Sequence, residues 1–274
     1  MHESDLTGLS AAEIAAAFNL VYADYLGPFV MSEAAARHHV AAYGIALDRS
    51  LLWRDDAGSI IGLGALGVRG ERGWVGGFGL APTSRGRGLS GALLAALLDR
   101  ARGAGLGQVQ LEVITTNDRA IRTYARAGFR RTRELLLLSA AAVAVPVADA
   151  TVTAVSPATL LAGVPGLALP DFAWQRETVS LLALPELHGL VLGAPASPQA
   201  FVVFTVSPTA VQIQALAGDS DESLVTLTGA LAKQFPGRSL RLVNEPQESP
   251  VLAALLAAGW RYESLRQYEM VCTL

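Results

Sequence analysis

The segment Leu80-Ala81-Pro82-Thr83-Ser84-Arg85-Gly86-Arg87-Gly88-Leu89-Ser90-Gly91 concentrates residue types that could hold an anion. Its glycines free successive backbone N–H groups to converge on one point, and it opens a helix whose N-terminal dipole favours negative charge. Arg85 and Arg87 add charge beside those donors. A pyrophosphate fits such a site; a Gly-rich turn with solvated arginines is the plainer reading of the same residues. The segment also spells Gly86-x-Gly88-x-x-Gly91, and Glu112 follows Gly91 by 21 residues, as a dinucleotide-binding fingerprint would require. That fingerprint belongs to the first strand of a βαβ unit, whereas here two helices and an antiparallel hairpin come first. Downstream, Leu111-Glu112-Val113, Asn117, Ala120, Tyr124 and Gly128-Phe129 form a second constellation. Asn117 reads as a helix cap and Tyr124, taken alone, as a core aromatic.

The elements that must position these residues follow from periodicity. Ser10 and Glu13 have capping-box spacing, and Ile14, Phe18, Val21, Tyr22 and Tyr25 recur at helical intervals up to Gly27-Pro28. A second helix is predicted from Ser32 to about Tyr43; its adjacent His38 and His39 point about 100° apart and read as surface or boundary residues, not as ligands sharing a metal. Strands follow near 50–54 and 59–68, joined by the turn Asp55-Asp56-Ala57-Gly58, and near 74–80, where Gly76, Gly77 and Gly79 suggest a bulge or a close backbone approach. A helix from Leu89 to about Arg102, a strand at Val109–Ile114, a short helix after Asn117 and a strand at Arg130–Leu138 complete the first half. The order then recurs: strands near 201–206 and 211–216, a helix near 224–234, a strand at 239–243, a helix ending at Ala258 and a strand through Tyr268. Leu111 and Leu242, Gly128 and Gly259, and Phe129 and Trp260 are each related by a shift of 131, which points to a degenerate tandem duplication.

The two constellations together resemble the GNAT superfamily of acyl-CoA-dependent N-acyltransferases: Arg85-x-x-Gly88-x-Ser90 as the pyrophosphate loop, then Leu111-x-Val113, Asn117, Ala120, Tyr124 and Gly128-Phe129. The likeness covers about Trp74 to Leu138, with Ser90 where the family usually has Gly or Ala, and the preceding α-α-β-β order agrees. It implies an α/β (α+β) chain of two GNAT-like domains, each a twisted mixed β-sheet flanked by helices, with a splayed sheet in the first. The expected division is 1–139 as the catalytic domain, 140–170 as a Pro/Gly/Ala-rich linker and lead-in strand, and 171–274 as the degenerate domain. It further implies acetyl-CoA as acyl donor, with a pantetheine arm lying along backbone bared at Gly77 and Gly79, and a backbone N–H near Phe78 or Leu80 polarising the thioester carbonyl. Gly86, Gly88, Leu89, Ser90 and Gly91 would supply amides to the pyrophosphate, and Asn117 would touch the cofactor arm as well as cap its helix.

Tyr124 would act as general acid toward the departing sulfur, an acid that is not strongly driven, since the ordinary values are near 10 for a phenol and about 8.5 for a thiol. Glu112 is the carboxylate nearest the motif and a candidate base, with Asp24, Glu33 and Glu71 behind it; waters draining to a distant carboxylate would also serve. Tyr22, Tyr25, Phe29, Met31 and Trp74 are candidates to line the acceptor pocket, with core packing as the alternative for Tyr22. The acceptor is expected to be a primary amine on a small molecule or peptide. A CoA-binding scaffold without turnover and a nicotinamide-dependent oxidoreductase are the competing readings. In the second half Gly218-Asp219-Ser220-Asp221-Glu222 puts carboxylates where the first has arginines, and Leu255 stands at the place of Tyr124, so no cofactor is expected there.

Composition narrows the partners. The 274 residues are 51% hydrophobic and only 16% charged, which excludes intrinsic disorder, and the net charge of −3 disfavours nucleic acid. A single cysteine, Cys272, remote from both motifs in sequence, permits no internal disulfide; with no signal-peptide pattern at Met1, a cytoplasmic protein is expected. The uncharged stretch 150–170 is broken by Pro157, Pro165, Pro170, Gly163 and Gly166 and so does not read as a membrane span. Homodimerisation is left open.

Overall fold

The computed structural model describes residues 1–24, 29–141 and 150–274. They form two compact units, Met1–Thr132 with Tyr268–Leu274, and Arg133–Gln267. The last seven residues of the chain therefore pack with its first half, which hydrophobic periodicity alone does not reveal.

In the first unit β1 (His2–Ser4) precedes α1 (Ala11–Val21) and α2 (Glu33–Tyr43). Ser10 and Glu13 form the predicted capping box, and Ser32 caps α2. The first helix ends at Val21, short of the predicted Tyr25; Tyr25, Gly27 and Pro28 lie outside the described residues. Strands β2 (Leu51–Arg54), β3 (Ile60–Arg69) and β4 (Arg72–Leu80) make an antiparallel meander. Then come α3 (Leu89–Gly103), β5 (Gln108–Ile114), α4 (Asp118–Arg126) and β6 (Arg130–Ala140), the last continuing into the second unit. Strand order is β1-β2-β3-β4-β5, followed by residues 268–273 of the C-terminal strand. Leu93, Leu94, Leu97 and Leu98 recur on one face of α3 and are buried with Leu66, Val109 and Leu111 of the sheet. Met270 and Cys272 join that core, and Cys272 Sγ lies 3.6 Å from the Ala127 carbonyl. The lone thiol is thus adjacent in space to the Gly128-Phe129 turn, a correction to its separation in sequence.

The second unit adds β7 (Val152–Ala154), α5 (Pro157–Leu161), α6 (Thr178–Leu181), β8 (His188–Ala194), β9 (Ser197–Val206), β10 (Ala210–Gly218), α7 (Asp221–Gln234), β11 (Ser239–Pro246), α8 (Leu252–Ala257) and β12 (Arg261–Thr273). Its order is β6-β11-β10-β9-β8-β7, with β10 and β11 parallel as β4 and β5 are in the first. The stretch read as a linker holds β7, paired with β8, and α5; its prolines and glycines punctuate these short elements. The duplication is visible in detail. Gly128 and Gly259 both have left-handed φ, +97° and +90°, at the end of a helix, and Phe129 and Trp260 both follow as buried rings. Both units are mixed sheets flanked by helices.

Candidate acyl-donor site

The site begins with one extra residue in β4. Ala65 of β3 faces Gly77 while the next residue, Leu66, faces Val75, so Gly76 is bulged out. Bulges bend a strand and end its pairing. Accordingly the parallel ladder between β4 and β5 runs only from Arg72↔Gln108 to Trp74↔Gln110. Beyond it the strands part around a cleft, with Val75, Phe78 and Leu80 on one wall and Leu111, Glu112 and Val113 on the other.

The glycines of β4 serve α1, contrary to the expectation that they bare the backbone for a ligand. A Cβ at Gly77 would lie 2.4 Å from the Phe18 ring and one at Gly79 would lie 3.1 Å from Val21, both on α1. Side chains alternate across a strand, so Phe78 faces away from that contact. Its ring centroid lies 5.8 Å from that of Tyr124 on α4, and both line the cleft. The Phe78 N–H donates to the Tyr22 hydroxyl at 3.1 Å.

At one end of the cleft the chain turns through Gly86 and Gly88, at φ +80° and +77°, with open space where a Cβ would be. Gly88 is the N-cap of α3, and no side chain caps that helix. The first-turn amides of a 15-residue helix are thereby presented beside exposed Arg87, with no capping side chain among the described residues. Arg85 does different work from the charge expected of it. Its guanidinium donates to the carbonyls of Leu80 (3.1 Å), Val21 (3.1 Å) and Ala23 (2.8 Å), pinning the end of α1 to the end of β4. Ser90 lines the cleft; Leu89 is partly buried against the core, and Gly91 is exposed.

Asn117 caps α4 through the Ala120 N–H at 3.1 Å and also lines the cleft. Tyr124, 8% exposed, stands between Phe78 and Phe129. Arg119 and Thr123 share the cleft-facing side of α4 with Ala120 and Tyr124. These two were missed, although Thr123 stands three residues after Ala120 and four after Arg119, spacings that share a helix face. Glu112 lines the opposite wall, its carboxylate accepting the Trp74 indole N–H at 2.7 Å. Trp74 itself is 3% exposed, so it is a buried orienting partner of Glu112 and not an acceptor-pocket residue.

The other acceptor-pocket and base candidates divide. Tyr22 and Asp24, the latter at φ +62°, line the cleft. Phe29 is exposed and packs on the Tyr22 ring at 4.8 Å, while Met31 is buried with its backbone held by the Asn19 side chain. Tyr25 is outside the described residues. Glu33 pairs with Arg37 on α2, and Glu71 sits in the β3–β4 turn; neither lines the cleft. His39 proves to be a support of the bulge. Its ring makes a hydrogen bond with the Gly76 backbone and packs among Phe18, Tyr43 and Trp74, and burial pushes it down to about 4.

The corresponding place in the second unit is built shut. The β10–β11 ladder runs from Ala210↔Ser239 to Ile213↔Leu242. Past it, the buried Arg176 donates to Gln214 O on β10 (2.9 Å) and to Val243 O (3.2 Å) and Asn244 O (3.1 Å) on β11. It also pairs with buried Glu245 at 2.5 Å and lies 4.2 Å over the Phe172 ring. The start of α7 is closed by its own capping box, Ser220 with Ser223, and Leu255 is fully buried. No sequence signal distinguished Arg176 from other arginines.

Comparison with known proteins agrees with this geometry. Residues 16–129 match the acetyltransferase (GNAT) family, a span that runs from the middle of α1 to the end of the second constellation. The first unit is a GNAT domain. Acetyl transfer is the family's general activity and acetyl-CoA its general donor. Over the whole chain the fold matches a GCN5-related N-acetyltransferase from Sphaerobacter thermophilus, with 15% identity, a TM-score of 0.67 and coverage of 99% of this chain and 95% of that one. It equally matches a tandem GNAT protein from the clavulanic acid biosynthesis pathway, at 15% identity and TM-score 0.67, covering 99% and 98%. A GCN5-related N-acetyltransferase from Anabaena variabilis matches at 14% and 0.63, covering 98% and 72%. No curated protein matches the chain significantly. Among the described residues no helix is long and apolar enough to cross a membrane, and no cluster of His, Cys, Asp and Glu could hold a metal.

Proposed function

We propose that the first unit transfers an acetyl group from acetyl-CoA to a primary amine of a small molecule or peptide, directly and without a covalent enzyme intermediate. The observation that carries this reading is the cleft where β4 and β5 part. It sets a β4 amide and the Tyr124 side chain on facing walls, and it opens at one end on the uncapped start of α3. Acetyl-CoA, when bound, supplies a thioester whose acetyl carbon accepts the nucleophile.

This chain's residues supply the rest. The amides from Gly86 to Gly91, aided by Arg87 and the α3 dipole, hold the diphosphate. Asn117 and the β4 backbone hold the arm, with Arg119 at the rim. The Phe78 N–H is the donor placed for carbonyl charge, a contact typically worth about 2.7–4 kcal/mol in the transition state. Leu80 lines the same wall. Tyr124 holds at its hydroxyl the proton that the sulfur takes up on leaving. Glu112, fixed by the Trp74 N–H, accepts a proton from the amine, which otherwise stays charged at neutral pH; Asp24 lines the same cleft as a second acceptor. The plug at Arg176 and the self-capped α7 support one donor site per chain.

The test is consumption of acetyl-CoA thioester, followed by free-thiol release, against a panel of amines, aminoglycosides, amino acids and peptides with free N-termini. At least one amine should accelerate release. Binding of acetyl-CoA with no acceleration by any amine would favour a scaffold over an enzyme.

A further inference from the structure

One polar group lining the cleft has no part in the proposed reaction. Tyr22, directly after α1, places its hydroxyl oxygen on the Phe78 N–H at 3.1 Å. Its ring lies 6.1 Å from that of Phe18 on α1 and 4.8 Å from that of Phe29. The Phe78 amide is the one assigned above to the thioester carbonyl, and an N–H has a single hydrogen to give. The hydroxyl oxygen therefore marks the position of a carbonyl oxygen, and the two compete for one donor.

We propose that Tyr22 is a specificity-determining residue of the donor site, its hydroxyl standing in for the acyl carbonyl and exchanging with it when an acyl-CoA binds. The proposal rests on the acetyl-CoA reading. The exchange is non-covalent: the Phe78 N–H passes from the phenolic oxygen to the carbonyl oxygen, and the hydroxyl turns to water. Free CoA has no carbonyl at its sulfur and leaves the Tyr22–Phe78 hydrogen bond in place. Tyr22 thus lowers the affinity for acetyl-CoA without touching that for CoA, which narrows the gap between substrate and product.

The prediction has a sign that a merely structural tyrosine would not produce. Tyr22→Phe keeps the ring contacts and removes the competitor, leaving a Phe78 amide that only a ligand carbonyl or water can satisfy. Isothermal titration of the full chain with acetyl-CoA and, separately, with CoA should show the ratio Kd(CoA)/Kd(acetyl-CoA) rising about three- to tenfold, wholly through tighter acetyl-CoA binding. Tyr22→Leu, which keeps an apolar contact to Phe29, should move the ratio the same way and serves if the first variant is unstable. An unchanged ratio, or equal loss of affinity for both ligands, overturns the role of Tyr22 while leaving the donor site standing. Wild-type protein that binds neither ligand overturns the donor site and this inference with it.

Discussion

Gly88→Asp separates the anion site from the fold that carries it. Gly88 sits at φ +77° with open space around the missing Cβ, so a side chain meets strain but no clash. A left-handed L-residue costs about 1–2 kcal/mol, less for Asp than for most. Against this, a carboxylate at the N-cap of α3 can accept the free first-turn amides, worth about 0.5–2 kcal/mol. The two nearly cancel, so the variant should fold with stability within about 1 kcal/mol of wild type. Its ligand binding should suffer far more, because the introduced carboxylate occupies the anion position itself. Two unit charges ~4 Å apart repel by about 4 kcal/mol at an effective dielectric of ~20; solvent and salt in this exposed loop reduce that to roughly 1.5–3, or about 10- to 100-fold in Kd. The assay is the thermal shift produced by acetyl-CoA. At a concentration 100 times the wild-type Kd, binding stabilises the wild type by about 2.7 kcal/mol and the variant by about 0.4–1.4. At ~2 °C per kcal/mol the shift falls from roughly 5 °C to roughly 1–3 °C. A variant that melts like the wild type and keeps its full shift would refute the assignment of the loop.

Three further outcomes are expected. Tyr124→Phe should bind acetyl-CoA within about twofold of wild type and lose at least roughly tenfold in turnover, read by thiol release, since general acid catalysis typically contributes about 10²–10⁴; full activity would remove Tyr124 from the mechanism. His39, whose ring is pushed by burial from 6.5 down to about 4, stays neutral in the fold while the unfolded chain gains a proton. Its folded pKa is depressed, so stability should be lost as pH falls from about 6.5 to about 4, by up to about 3 kcal/mol, and His39→Phe should flatten that part of a urea-denaturation profile. Arg176→Ala should strand Glu245 in the interior of the second unit and cost about 3–5 kcal/mol; Arg176→Met with Glu245→Gln should recover much of it, and titration should still find one acetyl-CoA per chain.

What the sequence disclosed was local. The capping box of α1, the glycine that ends α4 and the strand–loop–helix around Gly86 and Gly88 are written in neighbouring residues, and so were legible. The bulge at Gly76 was legible as a suspicion, because glycine inside a strand needs a reason; that Trp74 and Ile45 crowd Gly76, and that Phe18 and Val21 of α1 crowd Gly77 and Gly79, required the packing of distant elements. Contacts across long separations were not legible. The three carbonyls on Arg85 come from Val21, Ala23 and Leu80, and the indole holding Glu112 stands 38 residues away. The place of residues 268–274 in the first unit and the Arg176 plug in the second depend on the same kind of distant pairing. An arginine side chain reads alike in sequence whether it meets solvent, carbonyls or a phosphate.

The central claim is that a diphosphate lies on the α3 amides and nowhere on their counterparts in the second half. Hydrogen–deuterium exchange of the intact chain with and without acetyl-CoA reads both places in one experiment. Peptides covering residues 86–92 should exchange more slowly with ligand, while those covering 219–225 should not change. Protection at 219–225, or none at 86–92 under saturating acetyl-CoA, would contradict the account.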